Sequence, residues 1–438
     1  MQATATGPGS LVPSMSLSGG RQGQHATPPS RRDRGPAPAA NPFDPSMRGV
    51  LVEDWPTETL SAVRPRFWRR PAVRRARRVV LAALAGFLVL VGWSIGTALT
   101  APGTDSTAAR LAEWGRDHGF NGAITWLEKQ QYALSQPAVG GAPPGGIPAP
   151  AGGVGSADGH DGLPAPAPVP VLAGGPPLPN EGQWQTVVAV TGKPAVRVAA
   201  LRPDAQHTSY VAGVMWIDPN LVRGQLQPGF TDPGGQWHAS DQIAPADQSS
   251  VVAAFNAGFR LNASQGGYYS EGRTAVPLQD GAASLVIDGN GVANVGRWNQ
   301  EVRMSPQVAS VRQNLVMLVD GGQVNPSCSS GSAVWGATIG NAAFIDRSAF
   351  GVTANGAEIY VGGPALSVCA LGRILQAAGV VRGMELDINP DWISGAYFHD
   401  QPHGGPPQGF RLYPNQKVPP DHYLSPSSRD WFGWYARG

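Results

Sequence analysis

Three short polar clusters, each at the edge of an apolar run, hold the side chains best suited to chemistry. The richest reads Met384-Glu385-Leu386-Asp387-Ile388-Asn389-Pro390-Asp391-Trp392. In a strand, alternation puts Glu385 and Asp387 on one face and Met384, Leu386 and Ile388 on the other. Two carboxylates that close raise each other's proton affinity, which suits general acid–base work or a hard cation. Asn389 and Asp391 extend the oxygen-rich face, making Asp387 and Asp391 candidate ligands for Ca²⁺ or Mg²⁺, and Trp392 offers an apolar wall to a sugar ring. A polar strand face turned to water would read the same way.

The second cluster, Phe255-Asn256-Ala257-Gly258-Phe259-Arg260, follows the apolar run Val251–Ala254. The Asn256 amide can donate and accept towards a ligand, and Gly258 lets the backbone approach closely or take a positive φ. A simple turn is the plainer alternative. The third, Asp346-Arg347-Ser348-Ala349-Phe350-Gly351, supplies a planar guanidinium suited to a phosphodiester or carboxylate, with Ser348 as a second donor. A salt-bridged surface arginine is the alternative there.

The elements that must carry these clusters are mostly strands. Thr186–Val190, Ala195–Leu201, Tyr210–Asp218, Val251–Phe255, Ser284–Ile287, Leu315–Val319, Phe350–Thr353 and Glu358–Val361 have strand length and composition. Asp288-Gly289-Asn290-Gly291 and Ala354-Asn355-Gly356-Ala357 are turn signals. Leu366–Ala378 reads as a helix, with Leu371, Ile374 and Leu375 on one face and Gly379 as its stop. Many strands and few helices predict an α+β domain over residues 184–438, a mixed β-sheet with packed helices.

Taken in order, the clusters resemble the phosphodiester glycosidase domain family over roughly Ala199–Phe398. Phe255-Asn256-Ala257-Gly258-Phe259 is similar to that family's Asn-Gly-Gly-Phe segment, and Arg347-Ser348-Ala349-Phe350-Gly351 to its Arg-Thr/Ser-Ala-x-Gly segment. Pro364-Ala365-Leu366-Ser367 approximates a Gly-x-Ser segment opening a helix. Glu385-Leu386-Asp387-Ile388-Asn389-Pro390 takes the place of a strand ending in Leu-Asp-Gly-Gly-Gly-Ser. The resemblance implies hydrolysis of sugar phosphodiester linkages in envelope or secreted glycans. Asp387, Arg347 and Glu385 would then be catalytic, and Asn256, Gly258, Ser348, Asn389 and Trp392 would bind substrate. Two departures bear on turnover: Ala257 replaces a glycine, and Ile388-Asn389-Pro390 replaces a small-residue loop, removing a backbone donor at the proline. A non-catalytic glycan-binding or envelope-organising protein on the same fold is the alternative, and a membrane-tethered structural protein is a third.

Composition places this domain outside a membrane. Glycine and proline total 100 of 438 residues and are unevenly placed, densest in residues 136–183. Val79–Leu99 runs 21 residues without a charge, about 31 Å of helix and enough to cross a bilayer. Residues 1–78 carry thirteen arginines and five acids, which predicts a cytoplasmic N-terminal side and an extracytoplasmic C-terminal mass. Anionic lipid headgroups account for that basic flank without nucleic acid. The predicted order is a disordered Arg-rich tail (1–78), a single transmembrane helix (79–99), a helical juxtamembrane segment (100–135), a Pro/Gly/Ala-rich linker (136–183) and the outer domain. Cys328 and Cys369, the two cysteines of the chain, are most simply a disulfide in an oxidising compartment; a pair of buried thiols is the alternative.

Overall fold

The structure is a computed structural model that describes residues 71–154, 162–264, 266–330, 333–336, 338, 343–401 and 404–438. The predicted tail up to residue 70 lies outside them. The first helix, α1, covers Pro71–Leu99, so the apolar run forms its C-terminal part and Arg74, Arg75, Arg77 and Arg78 its first turns. None of its apolar window is buried in protein, and it is the one helix among the described residues long and apolar enough to cross a membrane. Two short helices follow, α2 (Thr107–Asp117) and α3 (Asn121–Leu134). Ser106 caps α2 by accepting the Ala109 N–H at 3.1 Å.

The C-terminal domain then runs β1 (Gln185–Val190), β2 (Lys193–Leu201), β3 (Ala212–Ile217), β4 (Val222–Gln227) and β5 (Val251–Asn256). A single turn, α4 (Leu261–Ser264), leads to β6 (Tyr268–Ser270), β7 (Arg273–Val276), β8 (Ala283–Asp288), β9 (Ala293–Arg297) and β10 (Val308–Gln313). Next come β11 (Met317–Asp320), β12 (Gln323–Val324), β13 (Ile345–Thr353), β14 (Glu358–Leu366), the helix α5 (Val368–Ala377) and β15 (Val380–Glu385). The chain closes with β16 (Gly395–His399), β17 (Gln408–Arg411) and β18 (Trp431–Ala436).

These strands make an eight-stranded sheet in the order β1-β2-β3-β14-β13-β15-β11-β12 and two five-stranded sheets, β7-β6-β10-β8-β9 and β17-β16-β5-β18-β4. Every ladder between named strands is antiparallel, which corrects the expected mixed sheet. The reason lies at α5. It is a helical crossover and returns β15 in the direction of β14, but β13 is inserted between them and pairs antiparallel with both. The predicted turn at 354–357 closes the β13–β14 hairpin, with Gly356 at φ 89°. At the other end of the crossover, Gly379 at φ 86° ends α5 as its position implied.

The large sheet is covered on both faces, which explains its nearly continuous apolar strands. Met215, Phe350, Tyr360 and Met384 meet Phe255, Tyr397 and Trp434 of one small sheet and Leu285 and Val295 of the other. On the opposite face Val214, Ile359 and Val361 pack with Leu371, Ile374 and Leu375 of α5. Cys328 and Cys369 form a disulfide, Cα to Cα 5.0 Å, tying the segment after β12 to the first turn of α5.

The Pro/Gly/Ala-rich stretch differs from a free spacer wherever it is described. The Ala138 N–H donates to the Tyr210 hydroxyl at 3.0 Å, and the Thr208 hydroxyl to the Gly141 carbonyl at 2.7 Å. Further on, Ala151 accepts from the Tyr397 hydroxyl at 2.7 Å and Ala167 from the Trp184 indole at 2.8 Å. Ile147 and Val169 are buried against the domain. Proline removes backbone donors and pre-sets an extended path, so the segment lies along the sheet surface as a strap without becoming a strand of it.

Candidate functional site

The site forms where the eight-stranded sheet meets the β5-containing sheet. Asn256 is the last residue of β5 and is buried. Its Nδ2 donates to Ser348 Oγ at 3.0 Å and to the Ala257 carbonyl at 2.7 Å. Its Oδ1 accepts from the Tyr360 hydroxyl at 2.7 Å and the Ser394 N–H at 3.1 Å. Ser348, in β13, donates its hydroxyl to the Asp387 carbonyl and accepts the Asp387 N–H, both at 3.1 Å. The clusters around Asn256 and Ser348 thus fix the backbone of the one that holds Asp387.

Asp387 lies just beyond β15. Its Oδ1 accepts the Ile388 N–H at 2.7 Å and the Asn389 N–H at 3.0 Å, and its Oδ2 accepts from Arg429 Nη1 at 3.1 Å. Burial nevertheless pushes this carboxyl above its usual range, against the pull of Arg429 and the two backbone donors. Asn389 acts through its backbone and, by its side chain, accepts the Asp391 N–H at 3.0 Å. The replacement loop therefore still presents N–H groups, but aims two of them at Asp387. Trp392 forms a wall under Arg429, whose guanidinium carbon stands 4.0 Å from the ring centroid.

Asn256, Gly258, Asp387, Trp392, His422 and Arg429 line one pocket, with Asp430 at its back. The free volume among them is about 10 Å³, room for roughly one water molecule. Gly258 is needed for close approach: a Cβ there would stand 2.8 Å from Cγ of Asn314. Asn314 in turn accepts the Phe259 N–H at 3.2 Å and donates to the carbonyls of Glu385 and Leu386, each at 2.8 Å.

Arg347 and Glu385 are placed differently from the expectation. Arg347 Nη1 pairs with Glu385 Oε1 at 2.5 Å, and its Nε donates to the Leu366 carbonyl at 2.9 Å. The two side chains are 2% and 0% exposed, and neither lines the pocket. β15 ends at Glu385, two residues before Asp387, so the strict alternation that would keep both on one strand face does not reach Asp387. The expectation of one shared carboxylate face is corrected accordingly: Glu385 answers Arg347 inside the sheet, and Asp387 answers Arg429 at the pocket.

A cation does not fit this donor set. Asp387 has an arginine on one oxygen and backbone donors on the other. Asp391, the second candidate ligand, faces Lys417 at 3.4 Å. Among the described residues there is no group of three His, Cys, Asp or Glu side chains able to hold a metal ion. His399 bonds the Val187 carbonyl at 2.6 Å and lies off the pocket; His403 lies outside the described residues.

Sequence reading missed the C-terminal wall. Arg429 and Asp430 immediately precede β18, Trp431–Ala436, a strand with both faces buried and no polar alternation to reveal it. Behind the pocket Asp430 pairs with Arg312, Nε to Oδ2 2.5 Å, and burial pushes its carboxyl up to about 6. The usable signal was positional: Arg429-Asp430 stands at the start of one strand as Asn256 stands at the end of its partner, and the Trp431–Asn256 register brings them side by side.

No family model matches the chain, and no curated protein matches its sequence. Among solved structures it is similar to the zebrafish N-acetylglucosamine-1-phosphodiester alpha-N-acetylglucosaminidase catalytic domain auto-inhibited by its pro-peptide, at 15% identity over 58% of this chain and 88% of that one, with a TM-score of 0.38. A hypothetical protein from Synechocystis is similar at 13% identity over 56% of this chain and 63% of that one, with a TM-score of 0.31.

Proposed function

We propose that this is a single-pass membrane protein whose outer domain hydrolyses sugar phosphodiester linkages of envelope or secreted glycans. The observation that carries the reading is the convergence of Asn256, Asp387, Arg429 and Trp392 on one pocket from separate parts of the chain. A guanidinium for phosphoryl oxygens, an indole for a sugar face and a carboxyl that keeps its proton above the usual range are the groups such a reaction needs. The ordered motifs around Asn256, Ser348 and Asp387 support the same class.

In this reading Arg429 holds the phosphoryl group and Asp387 gives its proton to the departing oxygen as the glycosyl C–O bond breaks. Water delivers its hydroxyl to the anomeric carbon and returns a proton to Asp387, so a free sugar and a phosphate monoester leave. Asn256, fully engaged by its four hydrogen bonds, is a positioning residue that holds Ser348 and through it Asp387. Arg347 and Glu385 brace β13 against β15. A second reading, glycan binding without cleavage, is favoured by the engagement of both Asp387 oxygens.

The test supplies the full chain in lipid nanodiscs with α- and β-linked sugar phosphodiesters, with and without Ca²⁺ or Mg²⁺. Turnover lost in Asp387→Asn and unaffected by chelator is the expected result. Saturable binding without product selects the second reading, and neither binding nor product refutes both. Orientation is tested on intact cells. Added protease should remove epitopes in residues 184–438 and spare the Arg-rich tail, and the opposite pattern overturns the proposed topology.

A further inference from the structure

Two arginines from neighbouring strands converge on a single carboxylate at the mouth of the pocket, and that carboxylate belongs to α2. Arg429, two residues before β18, puts Nη2 2.5 Å from Oε1 of Glu113. Arg260, four residues after β5, puts Nη1 3.5 Å from the other oxygen, Oε2. β5 and β18 are hydrogen-bonded partners, so the two guanidiniums are presented by adjacent strand ends on one rigid sheet. Arg260 also pairs with Asp117, one turn further along α2, at 3.1 Å. All three side chains are largely covered, at 15% for Arg260, 11% for Arg429 and 16% for Glu113. Arg429 Nε is buried without a hydrogen-bond partner.

One oxygen per guanidinium is the arrangement that two arginines offer to a tetrahedral oxyanion, and a carboxylate fills only part of it. The neighbouring chain holds α2 in this position. Asp105 accepts from the Ser428 hydroxyl at 2.9 Å, and Thr104 meets His422. On its other side α2 is fixed to the end of α1 through Arg110, which donates to the Leu99 and Gly103 carbonyls at 2.8 and 2.7 Å, and through Trp114, whose indole donates to Ser94 at 2.9 Å.

We propose that Arg260 and Arg429 form the subsite for the ligand's phosphoryl group, and that Glu113 occupies it as a tethered substitute which a phosphate-bearing ligand must displace. This rests on the reading that the pocket takes such a ligand, and it adds an arginine that the motif resemblance does not supply together with a closing element outside the domain. Because α2 follows α1 directly, whatever draws the outer domain away from α1 also draws Glu113 off the pair.

The experiment titrates the full chain in nanodiscs with inorganic phosphate at constant ionic strength, reading the dissociation constant by phosphorus NMR and α2 amide exchange by mass spectrometry. Phosphate must break the charged contacts of Glu113 with both arginines before it binds, so Glu113→Gln should tighten phosphate binding by about 10-fold. Glu128→Gln, which removes a carboxylate paired with Arg116 away from the pocket, should leave it unchanged. The gain should vanish in Glu113→Gln/Arg429→Gln, and phosphate should speed α2 exchange in the unmodified protein. Equal affinity for the unmodified and Glu113→Gln proteins overturns the proposal, as does a gain that survives loss of Arg429 or phosphate binding that leaves α2 exchange untouched. Failure of the hydrolase reading is separately visible: sugar phosphodiesters would then neither bind nor turn over while the phosphate gain persisted.

Discussion

Breaking the Arg347–Glu385 pair from one side should cost far more than removing it whole. Both side chains are sealed in the large sheet, and Glu385 Oε2 has no hydrogen-bond partner. Glu385→Gln leaves a buried guanidinium without a counter-charge, a loss of about 3–5 kcal/mol by the usual scale for such pairs. Arg347→Met orphans the carboxylate instead. Burial already pushes Glu385 above its usual range, so this variant can hold the carboxyl protonated, at a cost that grows by about 1.4 kcal/mol per pH unit above the ordinary value. The double variant Arg347→Met/Glu385→Leu removes both charges and the unsatisfied oxygen, and should fall within about 2 kcal/mol of the unmodified protein. Chemical denaturation of the full chain in detergent micelles, followed by tryptophan fluorescence, gives the double-mutant cycle, with phosphate binding read on the same samples. Additive losses would refute the argument that the pair acts as a unit. A stable double variant that no longer bound phosphate would return these two residues to the pocket.

Three further outcomes follow from geometry already described. Gly258→Ala should lose about 1–3 kcal/mol through overpacking, because its Cβ would reach within 2.8 Å of Asn314; an unchanged denaturation midpoint would mean the close approach is not required. Cys328→Ser/Cys369→Ser should lose about 4 kcal/mol by the loop-entropy estimate for a closure of 41 residues, measured as a denaturation midpoint without reductant, and no shift would refute it. Glu358 is buried among the Ala293 N–H, the Trp434 indole and the core, and desolvation pushes it up to about 8 from an ordinary 4.5. Its folded value lies above its unfolded one, so its contribution is complete below about pH 4.5 and is lost as pH rises through about 8. Stability should therefore decline across that window, Glu358→Gln should flatten the decline, and a rise with pH would contradict the assignment.

The sequence disclosed an element where it carried a local signal. The β13–β14 hairpin, α5 and its glycine stop were legible because turn chemistry and a helical stripe are local signals. β18 was not read: Trp431–Ala436 has no polar alternation to mark a strand face, and with it went Arg429. The three clusters do meet through hydrogen bonds joining Asn256, Ser348 and Asp387, but Arg347, expected beside Asn256 and Asp387, stands off the pocket. The chain offers no local sign that Arg347 would turn inward to Glu385, because pairing inside a sheet depends on the register of two strands 38 positions apart. Glu113 was equally hidden: in the sequence it is one charge on a short helix, and only the tertiary arrangement sets it against Arg260 and Arg429.

The proline-rich strap has a practical corollary for anyone cutting the protein down to its β-rich domain. A shortened version begun at Trp184 would uncover the surface against which Ile147 and Val169 lie and strip acceptors from Tyr397 and Trp184. Such a fragment should aggregate for want of its own wrapping. An expression boundary near Gln136 keeps that apolar flank dressed while leaving behind both the long apolar helix α1 and Glu113 of α2.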